Sequence, residues 1–270
     1  MDGDTLLIPI AVVTCPARGQ MGTALASHVN ADAICWDVGV GPAHNHLAAW
    51  KWLYETGAEW GVVLEDDVQL CTDFRRQLEQ ALACAPTDIV SLYLGRGRPP
   101  HWQERIATLV PRARMTGSNW IMLPEFLSAQ GYAMRRHLFA HGDYLRKFYC
   151  GEGNGRVDAH PIDEGITYMM RMGNGGKISN YNYPRGALRN AEGVPALVSY
   201  AFPSIVEHRD GPTVIVHRDG PRNGPTALMT PDSDPSGATL PEIRKAWVFG
   251  PHANWDSSGV QLGMNLNTSA

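Results

Sequence analysis

The chain has 270 residues, 44% hydrophobic and 19% charged, with a net charge of −4. This composition excludes a disordered chain, and so mild a charge singles out no class of partner. Five scattered cysteines (Cys15, Cys35, Cys71, Cys84 and Cys150) form no C-x-x-C pair, which fits a reducing compartment better than a disulfide framework or a structural zinc site. Behind the acidic start Met1-Asp2-Gly3-Asp4 only Leu6 to Val13 is apolar, so neither a secretory leader nor a bilayer-spanning segment is expected and the cytoplasm is the default.

Residues 6–14 read as a first core strand, closed by Cys15-Pro16-Ala17-Arg18-Gly19. Residues 33–38 read as a second, followed by the loop Gly39-Val40-Gly41. Pro42 suits the first position of a helix whose stripe is Leu47, Trp50 and Leu53 or Tyr54, with Gly57 as its stop. Val62, Val63 and Leu64 have the apolar continuity of a strand buried on both faces, and Asp73 is placed to cap a helix with Phe74, Leu78, Ala81 and Leu82 inside. Asp88 to Leu94 is a further strand. Strand and helix thus alternate through the first hundred residues, which predicts an α/β fold with a mostly parallel sheet. Residues 119–150 read as an apolar strand and then a helix through Arg135, Arg136 and His137. After Arg222 the chain is rich in Pro, Ser, Thr, Gly and Asn and is expected to wrap the surface as an irregular extension.

The strongest chemical signal is Glu65-Asp66-Asp67 at the tip of the third strand. Adjacent carboxylates repel and are costly to desolvate, so a cation is expected there, and a hard divalent ion (Mn²⁺ or Mg²⁺) suits oxygen ligands and a diphosphate. A solvated acidic turn is the plainer alternative. Extended geometry would send Glu65 and Asp67 to one side and Asp66 to the other, leaving Asp67 to reach the ion and a neighbour to hold a ribose hydroxyl. A distant ligand is needed to help fill the coordination sphere. His208 and His217, each opening a His-Arg-Asp-Gly-Pro copy, are the candidates, against the alternative of turn histidines bonded to backbone.

Thr14 at the tip of the first strand and Arg18 in the loop behind it are candidates to hold a nucleotide, Arg18 by paired contacts to phosphate. Asn45 and His46, in the first turn of their helix, are placed to face the same cleft, and His46 equally suits a structural role. Asp163 and Glu164 form an acidic pair ahead of a helical segment; either is a helix cap or a general base for an acceptor hydroxyl. Arg96, Arg98, Arg105, Arg112 and Arg114, with Trp102 and Trp120 nearby, are the one hint of a polyanionic partner, cations and aromatics together suiting phosphates and exposed bases. A solvated charged face explains the same run.

Val63-Leu64-Glu65-Asp66-Asp67-Val68-Gln69-Leu70, behind a helix that carries Trp50 and Trp52 and runs into Glu55-Thr56-Gly57-Ala58-Glu59-Trp60, resembles the glycosyltransferases of lipopolysaccharide-biosynthesis type (family 25) and related small phage-encoded glycosyltransferases. Gly41 to Trp50 is similar to that family's preceding helix, with Asn45 where a serine is usual. Phe202 to His208 is similar to its closing strand. The resemblance covers roughly residues 8–210 and implies a GT-A fold with one Rossmann-like domain; that domain is expected over residues 1–222, with a nucleotide-sugar half (about 5–118) and an acceptor half (119–222), followed by an extension over 223–270 that lies outside the resemblance. It implies metal-dependent transfer of a sugar from a nucleotide diphosphate, best a UDP-sugar, with Asp67 and His208 on the metal. The acceptor it suggests is a 5-hydroxymethylated pyrimidine in phage-type DNA, with a saccharide or protein hydroxyl as the alternative; no membrane or obligate protein partner is expected. A metal-dependent phosphodiesterase or nuclease and a non-catalytic binding module are the rival classes.

Overall fold

A computed structural model describes residues 7–95, 100–148, 161–172, 197–208 and 255–261. Its strands are β1 (Ile10–Thr14), β2 (Ala33–Trp36), β3 (Trp60–Glu65), β4 (Val68–Leu70), β5 (Ile89–Ser91), β6 (Trp120–Leu123), β7 (Gly131–Arg135), β8 (Val198–Ala201), β9 (Val206–His208) and β10 (Gly259–Gln261). The helices are α1 (Gly19–Val29), α2 (Pro42–Glu55), α3 (Phe74–Ala83), α4 (Pro100–Thr116), α5 (Arg136–Phe139), α6 (Gly142–Phe148) and α7 (Ile162–Met172).

Eight strands form the central sheet in the order β10-β6-β8-β5-β7-β3-β1-β2. The expected α/β class holds, with four of the seven pairings parallel and three, all involving β6 or β7, antiparallel. Alternation along the strands divides two apolar layers: Ala11, Val13 and Val63 pack under α2, α4 and α7, while Ile10, Val12, Val62 and Leu64 pack under α1 and α3. Both faces being covered is why these strands read as unbroken apolar runs. In α2 the stripe Leu47, Trp50 and Leu53 is fully buried, each such side chain worth about 1.5–3 kcal/mol. Tyr54 lies outside it, partly exposed and under the Arg136 guanidinium.

The structure changes several sequence expectations. Arg135 ends a strand instead of lying in a helix, because Tyr132, Ala133 and Met134 are buried on the two faces and draw β7 between β3 and β5. Asp73 sits at the start of α3 in a left-handed conformation (φ 52°) and makes no side-chain cap; it meets Arg76 instead. Part of the carboxyl-terminal segment is sheet, not surface wrapping: β10 pairs in parallel with β6, and Trp255 packs against Trp120 with the rings tilted at 45° and their centroids 5.2 Å apart. The Trp120 indole N–H donates to the Asp256 carbonyl (2.7 Å), and that of Trp255 to Gln77 Oε1 (2.6 Å).

A second, two-stranded sheet pairs β4 with β9 in antiparallel register, setting Val68 opposite His208. It begins one residue beyond the acidic motif and thereby fixes where His208 can reach.

Candidate functional site at the carboxyl ends of the central strands

β1, β2 and β3 run parallel and end together at Thr14, Trp36 and Glu65. Ligands of open α/β sheets bind beyond such carboxyl ends. The chain turns immediately after Glu65, so the alternation expected of the three acids does not extend past the strand. Asp66 and Asp67 both turn toward Arg18, and Glu65 turns the other way, toward His46.

Arg18 Nη1 donates to Asp66 Oδ1 at 3.0 Å and to Asp67 Oδ2 at 2.5 Å. The Thr14 hydroxyl donates to Asp66 Oδ2 at 2.6 Å, and His208 Nε2 lies 3.2 Å from Asp67 Oδ2. Gly22 makes the first of these contacts possible: a Cβ there would come within 2.6 Å of the Thr14 side chain. Burial alone would raise both carboxyls. It wins at Asp66, whose pKa lies above the usual value despite Thr14 and Arg18. At Asp67 it is outweighed by the hydrogen bond and charge of His208 and by Arg18, and the carboxyl is held below its usual range. Asp67 Oδ1 is buried and has no hydrogen-bond partner among the described residues.

The Thr14 carbonyl accepts from the Asp37 N–H (2.8 Å) and from Asn45 Nδ2 (2.9 Å). The second contact fixes which way the Asn45 amide points and leaves its Oδ1 buried with no hydrogen-bond partner among the described residues. Asp37 Oδ1 in turn accepts the N–H groups of Gly39, Val40 and Gly41 at 2.9, 3.0 and 3.1 Å, with positive φ at both glycines. The rim beside Thr14 is therefore a preformed loop. Trp36 lies across Gly19, whose Cβ would come within 2.9 Å of the indole, and it remains 45% exposed at this rim.

Glu65 belongs to a second group. His46 Nε2 is 3.3 Å from Glu65 Oε1, and His46 Nδ1 is 3.0 Å from the Tyr132 hydroxyl, which also accepts the Trp50 indole N–H at 2.7 Å. His46 is fully enclosed with both ring nitrogens facing polar partners, so the direct ligand contact expected of it is corrected to the structural role the sequence equally allowed. Asp163, in the first turn of α7, lies in the field of Glu65. Burial, then repulsion from Glu65 and Glu164, raises its pKa to about 6 against the opposing hydrogen bond from the Glu164 N–H (2.9 Å). Glu164 is exposed. The Thr167 hydroxyl, one turn along, exchanges hydrogen bonds with the Phe126 backbone and anchors α7 beside the site.

The structure thus brings Thr14, Arg18, Asp66, Asp67 and His208 together, with Asn45 beneath Thr14 and Glu65, His46 and Asp163 alongside. Trp36 and Tyr132 escaped the sequence reading. An aromatic residue at a strand tip was a readable signal for Trp36, whereas Tyr132 depended on an unpredicted strand. His217, Arg96 and Arg98 lie outside the described residues. Trp102 and Trp120 do not offer the stacking surfaces expected of them: both are buried, Trp102 donating to Glu125 at 2.7 Å.

Among the described residues no three His, Cys, Asp or Glu side chains form a ready metal cage. Asp67 with its orphaned oxygen and the adjacent His208 nevertheless fit a two-residue hold. Mg²⁺ in particular keeps most of its shell for water and substrate phosphate. An ion there would replace the present His208–Asp67 contact. No family model matches the chain, and no curated protein matches it.

Proposed function

We propose that this protein is a glycosyltransferase that moves a sugar from a nucleotide-diphosphate donor, best a UDP-sugar, to a hydroxyl acceptor with the help of Mn²⁺ or Mg²⁺. The observation that carries this reading is the meeting of His208 with Asp67, 3.2 Å apart and brought together by the β4–β9 sheet, beside Arg18 at the strand ends. Asp67 and His208 would hold the ion, which when bound supplies positive charge to the leaving diphosphate. Arg18 adds a fixed guanidinium on the same side. Trp36 offers a flat exposed ring at the rim. Asn45 Oδ1 offers a buried acceptor for a ligand N–H or O–H.

Asp163 is the better placed of the two candidate bases, because it is partly buried in the field of Glu65 while Glu164 is exposed. A carboxyl that titrates near 6 is ionised at neutral pH yet retains basicity, as removal of a proton from an attacking hydroxyl requires. Turnover should therefore fall as the pH drops through about 6.

For the acceptor, a hydroxymethylated pyrimidine in DNA stays within the proposal, but only charge on α4 supports it, through the exposed Arg105 and Arg112. The buried Trp102 and Trp120 offer no surface on which its bases could stack. A two-metal phosphodiesterase would call for a denser ligand set than Asp66, Asp67 and His208.

The test is a donor-hydrolysis screen: a panel of nucleotide sugars with Mn²⁺, Mg²⁺ or chelator, followed by assay of released nucleoside diphosphate. Metal-dependent release that drops at least about 100-fold in Asp67→Ala is expected. Hydroxymethylcytosine DNA added to the active combination should then gain a hexose mass. Failure of the folded protein to bind or hydrolyse any nucleotide sugar overturns the reading.

A further inference from the structure

We infer that His46 is a positioning residue, a one-proton clamp set by Trp50 and Tyr132 that fixes Glu65 as the acceptor for a hydroxyl of the bound substrate. This rests on the glycosyltransferase reading for the substrate, but not for the clamp itself.

The clamp follows from counting protons. The Trp50 indole can only donate, and it donates to the Tyr132 oxygen at 2.7 Å. The Tyr132 hydroxyl proton is then free to point elsewhere, and the polar atom facing it is His46 Nδ1 at 3.0 Å. Nδ1 must be the acceptor, so the ring proton sits on Nε2, which faces Glu65 Oε1 at 3.3 Å. Each polar atom of Trp50, Tyr132 and His46 then has a partner. Tyr132 keeps its proton throughout, since burial lifts its pKa well above the ordinary value against the Trp50 hydrogen bond.

Packing removes the freedom to reorganise. Trp50, Tyr132 and His46 are enclosed, and the imidazole lies nearly parallel to the Tyr132 ring at 17° with centroids 5.8 Å apart. The run joins three elements, with Trp50 and His46 on α2, Tyr132 on β7 and Glu65 on β3. The main chain at Glu65 is fixed as well, its N–H donating to the Gln130 carbonyl at 2.8 Å.

Glu65 itself is not enclosed; its side chain is 27% exposed. A carboxylate held at one oxygen and still partly exposed only accepts hydrogen bonds and repels phosphate. It therefore selects a hydroxyl. The site divides accordingly into a cationic side at Arg18 for the diphosphate and an acceptor side at Glu65 for the polyhydroxyl part.

Two measurements decide this. Long-range proton–nitrogen spectra of the full chain, with His46 assigned by its disappearance in His46→Gln, report the ring tautomer at neutral pH without any substrate. A protonated Nε2 with a bare Nδ1, lost or mixed in Tyr132→Phe, is expected. A ring protonated on Nδ1, or on both nitrogens, overturns the clamp. The second measurement is steady-state donor hydrolysis. His46→Gln can present an amide N–H where Nε2–H stood and should keep KM within about 3-fold of the parent, while His46→Leu and Tyr132→Phe raise KM about 10-fold with kcat much less affected, as loss of the group that holds the carboxylate in place predicts. Equal loss in Gln and Leu variants of unchanged thermal midpoint overturns the positioning role. Should the parent hydrolyse no donor, the glycosyltransferase reading falls and the spectra still decide the clamp.

Discussion

Two quartets, each of one arginine, one histidine and two carboxylates, stand at opposite ends of the sheet. At the carboxyl ends, Arg18 and His208 meet Asp66 and Asp67; at the amino ends, Arg135 and His137 meet Glu59 and Asp88. Residue types alone do not separate them, but burial does. The side chains of Asp66 and Asp67 are 6% and 9% exposed, whereas those of Glu59 and Asp88 are 60% and 59% exposed. Exposed ion pairs are screened and contribute little, while desolvated ones carry large opposing terms that only matched partners offset. The lower quartet holds Arg135 over the Trp60 ring, a surface role. The upper quartet keeps charge where charge is costly, and that concentration of cost marks it as the place to expect chemistry.

The contrast can be broken by mutation. The largest effect is expected of Arg18→Met, which leaves two buried carboxylates without their shared guanidinium. A loss of about 3 kcal/mol in urea unfolding is expected, and a loss below 1 kcal/mol would place the quartet among surface pairs. Next comes Asp67→Asn. Asp67 is held below its ordinary pKa, so the stability it contributes is present above the unfolded value and lost as the pH falls through the folded one. Burial shifts Asp66 in the opposite sense, so its ionisation costs stability above the unfolded value and partly masks the effect in the parent. The difference between the parent and Asp67→Asn isolates the Asp67 term. It should amount to about 2 kcal/mol near neutrality and shrink toward zero as the pH falls from about 4 through about 2. Urea midpoints across that range measure it, and a constant difference would refute the assignment. The smallest effect belongs to Asp88→Asn, expected to change stability by less than about 0.5 kcal/mol and to vanish in high salt.

How much of this could be read from the residues alone depends on range. The tip of β3, the α2 stripe and Pro42 at its start were legible because each is a local signal: an apolar run broken by acids, a helical period, a ring that suits a first turn. The placement of Arg135 was not, since Arg-Arg-His after a short apolar run reads as helix until tertiary pairing supplies β3 and β5 as neighbours. Nor was the inward facing of Trp102 and Trp120, because an aromatic residue near arginines serves a core or a ligand equally well. The approach of His208 to Asp67 spans 141 positions of chain; the residues alone left His208 and His217 as alternatives, and the family resemblance favoured His208. The division of Glu65 from Asp66 and Asp67 needed the turn itself, since strand alternation gives a different partition.

Strand β10 carries a practical consequence. It covers the flank of β6, and Trp255 lids Trp120 from the same stretch. A chain cut ahead of residue 255 would leave a row of unsatisfied amides and carbonyls beside a bare indole, a template onto which another molecule can add a strand. Preparations shortened in that way should clump at concentrations where the whole chain stays dispersed, so any activity survey is best done with the terminus intact.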